Sequence, residues 1–183
     1  DVYKRQYTFS GSANNKLKTF AWANLTTDEK AYFNNMCAPA VRLSQCNDSI
    51  NGPNLTQAQK DLISGENLLK FIRGQNGYED QAGNTNPIYR DREHVLGDMI
   101  GSQPVYVRVP PFSYVDSDYD SFKSAQSNRL AMVYVAANDG MLHAFDASIG
   151  QTSSGTEKWA YIPPMVMPNL YKLADKNLSL IHI

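Results

Sequence analysis

Few residues in this chain have the types and spacings that do chemistry. Asp116, Asp118 and Asp120 alternate like the first three ligand positions of an EF-hand-type loop, where oxygens on alternate residues converge on calcium. The sixth position is Ser121 rather than Gly and the twelfth is Ser127 rather than Glu, so the pattern is incomplete. Tyr114, Tyr119 and Phe122 around it predict a packed surface loop instead. Glu93, His94 and Asp98 offer groups for acid–base work. No nucleophile stands near them in a recognisable context, and a mixed-charge run beside a strand reads as surface or interdomain ion pairs. Gly97-Asp98 has turn composition. His143 falls in an apolar hairpin with no further ligand at metal spacing, which predicts a satisfied core hydrogen bond.

Cys37 and Cys46, separated by eight residues that include Pro39, would close a small loop in an oxidising compartment. Two unrelated buried thiols are the alternative. Metal binding is disfavoured, because no His or further Cys lies at ligand spacing. Asn24, Asn47 and Asn54 begin glycosylation sequons, but Thr26 and Thr56 within two of them are better explained as helix caps. The chain thus presents no catalytic set and no cofactor site.

The elements that position these residues change character near Pro87. Before it the signals are helical and irregular. Thr26 with Glu29 forms a capping box that predicts a helix over about 27–36. Thr56 with Gln59 repeats the device ahead of Leu62 and Ile63, and Leu68, Leu69, Phe71 and Ile72 extend an apolar face that stops at Gly74. Residues 75–87 read as loop. After Pro87 the hydrophobic period is two, which predicts strands over 104–109, 131–137, 141–147 and 157–162, with polar loop over 113–128. Asp139-Gly140 suits a two-residue type I′ turn. That turn would pair Tyr134 with Phe145 and Ala136 with His143. Both faces of the hairpin are mostly apolar, so it should be covered on both sides. These features define a mainly β fold with a buried hairpin, as a sandwich or a propeller blade supplies.

The bulk properties fit. The chain has 183 residues, is 42% hydrophobic and 19% charged, and carries 11 tyrosines, a balance suited to turn-rich β structure outside the cytoplasm. The net charge of −1 with scattered basic residues gives nucleic acid no electrostatic footprint. Apolar stretches such as 162–166 are far short of the roughly 20 residues that span a bilayer. The first residues, DVYKRQ, and the last, LSLIHI, resemble translated sequencing-adapter read-through. Residues 1–6 and 178–183 are therefore expected to be foreign, the alternative being a disordered start and a short closing strand.

Several segments in order resemble one family. HVLGDMIGSQPVYVRVPPFSYVDSDYDSF (94–122), MVYVAANDGMLHAFD (132–146) and WAYIPPMVMPNLYKLAD (159–175) are similar to the start of the propeller in the PilC/PilY family of type IV pilus-associated proteins, and YRDRE (89–93) fits the same pattern. FAWANLT (20–26) and LLKFIRG (68–74) resemble its lead-in more loosely. The resemblance implies a lead-in over 7–88, with a cysteine-bearing insertion over 37–67, and the opening blades of a quinoprotein-like β-propeller over 89–177. In function it implies a non-enzymatic, exported protein of a Gram-negative cell surface or pilus. Such a protein supports pilus extension against retraction and takes part in adhesion, with pilus machinery, pilins and surfaces as partners. Calcium in that family belongs to an acidic loop later in the propeller. Two other readings stand beside it. AFDASIG (144–150) followed by Trp159 resembles the blade motif of quinone-dependent dehydrogenases, although Cys37 and Cys46 are not the adjacent pair those enzymes use. The other is a periplasmic scaffold of the outer-membrane assembly type, against which 95–107 and 162–175 argue.

Overall fold

The computed structural model describes residues 5–12, 14, 16–47 and 55–178. Asn54 and most of each terminal hexapeptide lie outside the described residues. Both capping boxes form. Thr26 accepts from the Glu29 amide to open α1 (Thr27–Ala31), and Thr56 accepts from the Gln59 amide to open α2 (Gln57–Leu62). A cap of this kind stabilises a helix by about 1 kcal/mol. The first helix is shorter than the 27–36 expected, because the backbone leaves helical geometry and Asn35 takes a positive φ of 57°. A separate helix, α3 (Glu66–Ile72), carries Leu68, Leu69, Phe71 and Ile72 into the core.

Six strands form one mixed sheet: β1 (Gln6–Phe9), β2 (Leu17–Thr19), β3 (Val105–Val107), β4 (Met132–Ala136), β5 (Leu142–Asp146) and β6 (Glu157–Ile162). Their order is β2-β1-β6-β5-β4-β3, with β3 to β6 an antiparallel meander. β1 joins β6 in parallel, and the Arg5 carbonyl accepts from the Ala160 amide at 3.1 Å, so Arg5 and Gln6 belong to the sheet. The lead-in therefore contributes two strands to the sheet that the second half of the chain builds.

The hairpin register differs by one residue from expectation. Tyr134 faces Ala144, and Ala136 faces Leu142. The loop holds three residues, not two: the Ala137 amide reaches the Met141 carbonyl at 3.0 Å, and the Gly140 amide returns to Ala137 at 3.1 Å. This is a type I turn followed by a left-handed residue, Gly140 at φ 83°. Because side chains alternate, a one-residue change moves every side chain to the other face. His143 consequently shares a face with Val135, opposite it in the ladder. Residues 113–128 are not all loop, since α4 (Tyr119–Ala125) forms there with no buried residue.

The core joins both halves of the chain. Phe20, Phe33, Met36, Ile63, Leu68 and Phe71 of the lead-in pack with Met141, Ala160, Ile162, Met167 and Leu170, the last two from a closing 3-10 helix (Met167–Ala174). Tyr134, Phe145, Trp159 and Tyr161 are only half-buried within the described residues, so the sheet is not covered throughout on both faces. The fold is mainly β, with the sheet open rather than closed on itself.

Candidate functional site

A buried polar cluster lies where the hairpin loop meets β6. His143 sits on β5 with its side chain 5% exposed, and its Nδ1 donates to Glu157 Oε1 at 2.5 Å. Its Nε2 donates to both oxygens of Asp139, at 3.1 and 3.0 Å. The Glu157 side chain is 2% exposed. Burial alone would disfavour charge on this imidazole, but hydrogen bonds and attraction from Asp139 and Glu157 win, and its pKa is pushed up to about 9. His143 is thus a pinned imidazolium at neutral pH. An imidazole that donates from both nitrogens has no lone pair left to abstract a proton or bind a metal.

Asp139 does more than shape the turn. Its carboxylate accepts from the Met141 amide at 3.0 Å and from the Gly97 amide at 3.1 Å, and the Asn138 amide donates to the Asp98 carbonyl at 2.9 Å. These bonds hold residues 94–99 against the hairpin tip. A Cβ at Gly97 would stand 2.5 Å from the Asp139 nitrogen, so the close approach requires glycine there. The segment and the sheet enclose a cleft of about 1160 Å³, with Val95, Leu96, Met99 and Phe145 on its walls and His143 among its polar groups.

The other residues singled out by sequence do not converge. Asp116, Asp118 and Asp120 are exposed; Asp118 precedes α4 at φ 71° and Asp120 lies within that helix, which breaks the alternation a calcium loop needs. Among the described residues, no group of three or more His, Cys, Asp or Glu side chains is placed to hold a metal ion. Glu93 and His94 project into solvent 3.8 Å apart. Cys37 and Cys46 are joined as a disulfide.

Two polar assemblies were missed by sequence reasoning. Arg92, within the YRDRE run, is buried against Glu79; it donates from Nε at 2.7 Å and also to the carbonyls of Phe71 at 2.9 Å and Gln75 at 3.1 Å. Its guanidinium stacks 3.7 Å from the Phe71 ring centroid. At the bend after β5, Asp146 accepts from the Ser148 amide at 2.9 Å, Ser153 Oγ at 2.7 Å and Lys158 Nζ at 3.0 Å. The bonds from Ser148 and Ser153 are the main reason its carboxyl is held well below the usual carboxylate range. Only the charged residues themselves signalled these sites, since the partners of Arg92 lie 13 to 21 positions away and those of Asp146 reach 12 positions away.

The open antiparallel meander of β3 to β6 fits the opening of a β-propeller. Residues 96–178 match the family model described as the PilY1 beta-propeller domain. A type IV pilus biogenesis factor PilY1 homolog of Xylella fastidiosa is 38% identical over 116 residues, covering 60% of this chain and 9% of that protein. The type IV pilus biogenesis factor PilY1 of Pseudomonas aeruginosa strain PAK is 31% identical over 180 residues, covering 94% of this chain and 13% of that protein. No solved structure matches. The chain belongs to the PilC/PilY family, and it spans about a tenth of the length of these relatives.

Proposed function

We propose that this chain is the lead-in and first propeller sheet of a type IV pilus biogenesis factor that acts by binding rather than by catalysis. The observation that carries this reading is the similarity to the P. aeruginosa pilus factor along 94% of the chain, lead-in included. The commitment of both His143 nitrogens to carboxylates supports a bracing role for the most enzyme-like group. In this reading the protein works outside the cytoplasm, at the outer membrane or on the pilus. It engages pilus machinery and pilin subunits, favours extension over retraction, and contributes to surface attachment. A quinone-dependent dehydrogenase reading has no adjacent cysteine pair to support it.

A chimera tests the proposal. The matching segment of P. aeruginosa PilY1 is replaced by this chain in a strain lacking its own copy, and surface pili and twitching are measured. Restored piliation is the expected result. If the chimeric protein reaches wild-type levels yet leaves cells bald, even when the retraction motor is also deleted, the pilus assignment falls. Recovery only on deleting the motor would sink the narrower claim that this segment opposes retraction.

A further inference from the structure

The Cys37–Cys46 bond closes a loop in which Ser44 and Gln45 hydrogen-bond to the segment leading out of the sheet. Gln45 is buried, and every function of its amide is used. Its Nε2 donates to the carbonyls of Ile88 and Ala174, each at 3.0 Å, and its Oε1 accepts from the Lys176 amide at 3.2 Å. The Ser44 amide donates to Asp175 Oδ2 at 2.9 Å, and the Ser44 hydroxyl bonds Asp175 Oδ1. Arg42 lies over the Tyr171 ring, 4.1 Å from its centroid, while donating to the Tyr32 carbonyl at 3.2 Å. Leu43 anchors the same turn in the core.

The bonds to Ala174, Asp175 and Lys176 span 129 to 131 residues of sequence and reach the last described turns of the chain. Residues 37–43 contain no helix or strand. A short loop without its own ladder has many conformers, and few of them present Ser44 and Gln45 together. Cross-linking its ends removes most of the alternatives.

We propose that the Cys37–Cys46 pair is a redox-set clip: its disulfide holds the loop in the one shape that docks Ser44 and Gln45 onto residues 174–176, and its reduction releases that segment from the lead-in. Closing the clip forms one S–S bond and gives up two protons and two electrons. These pass to the disulfide of a thiol–disulfide exchange protein, which leaves as a dithiol; opening the clip is the reverse exchange, in which such a dithiol supplies the two electrons and two protons and leaves as a disulfide. The presence of such an oxidant rests on the extracytoplasmic reading above; the docking does not. Cys37 is only half-buried, which leaves its side of the bond open to exchange. The clip would set the direction in which the chain departs from its first sheet.

Hydrogen exchange resolved by peptide tests this on the purified protein that carries the chain. Cys37→Ser/Cys46→Ser, and separately Gln45→Ala with the disulfide intact, should each raise exchange at residues 174–178 at least tenfold while β4 to β6 keep their protection. Unchanged exchange at 174–178 in either variant overturns the proposal. So does loss of protection throughout the sheet in the double serine variant, because the bond would then be a general staple. Both results are independent of piliation, so failure here is distinguishable from failure of the pilus reading.

Discussion

Arg92→Met removes one half of a buried charge pair and isolates the other. The side chains of Arg92 and Glu79 are 5% and 2% exposed, so water cannot replace what the substitution takes away. Among the described residues Glu79 would keep only the Gln81 side-chain amide, at 3.0 Å from its Oε2, and the Phe71 carbonyl would lose its side-chain donor. Stranding one charge of a buried pair costs about 3–5 kcal/mol. With a urea m-value of about 2 kcal/mol per molar, the unfolding midpoint falls by about 1.5–2.5 M, a large part of a typical total stability of about 5–15 kcal/mol. Glu79→Leu should cost a similar amount by stranding the guanidinium. The double variant Arg92→Met/Glu79→Leu should recover much of the loss, because neither charge is then left unpaired. Urea unfolding of the four proteins, followed by tryptophan fluorescence, gives the coupling directly. Additive single losses, or a single loss below about 1 kcal/mol, would refute the reasoning that this pair locks α3 to the start of the propeller segment.

Gly140→Val places a β-branched residue at φ 83° and a Cβ 2.9 Å from Leu170 Cδ2; backbone strain and overpacking together should destabilise by about 2–4 kcal/mol, read as a lowered thermal midpoint. Retained stability would remove the left-handed turn assignment. His143 has a folded pKa above its ordinary value, so its stabilisation is complete below about pH 6.5 and is lost as pH rises through about 9. The urea midpoint should therefore fall across that window, and His143→Gln should flatten this limb of the profile. Tyr89 is fully buried with a hydroxyl that has no hydrogen-bond partner among the described residues, so Tyr89→Phe should leave stability unchanged or raise it by about 1 kcal/mol in a thermal scan. A clear loss would show that the hydroxyl is satisfied.

What the sequence determined by itself was local. The two capping boxes were legible because each closes within four residues, and the strands 132–136, 142–146 and 157–162 because alternation is a property of neighbouring residues. The family pattern was legible for the same reason, as ordered runs of adjacent residues. What the tertiary structure decided depends on pairings that no local rule specifies. Asn138-Asp139-Gly140 accommodates either a two- or a three-residue loop; the bond from Ala137 to Met141 goes with the longer one, which put His143 opposite Val135, and the pairing of β5 with β6, irregular at Ala144 and Phe145, brought Glu157 beside it. The lead-in entered the sheet because β1 found β6, more than 150 residues away, where its amides and carbonyls could complete a ladder. The polar loop expected over 113–128 holds a helix at Tyr119–Ala125, which follows Asp118 with its left-handed backbone. Short-range hydrogen bonding chose the elements; long-range burial and ladder completion chose their partners, and with them the site.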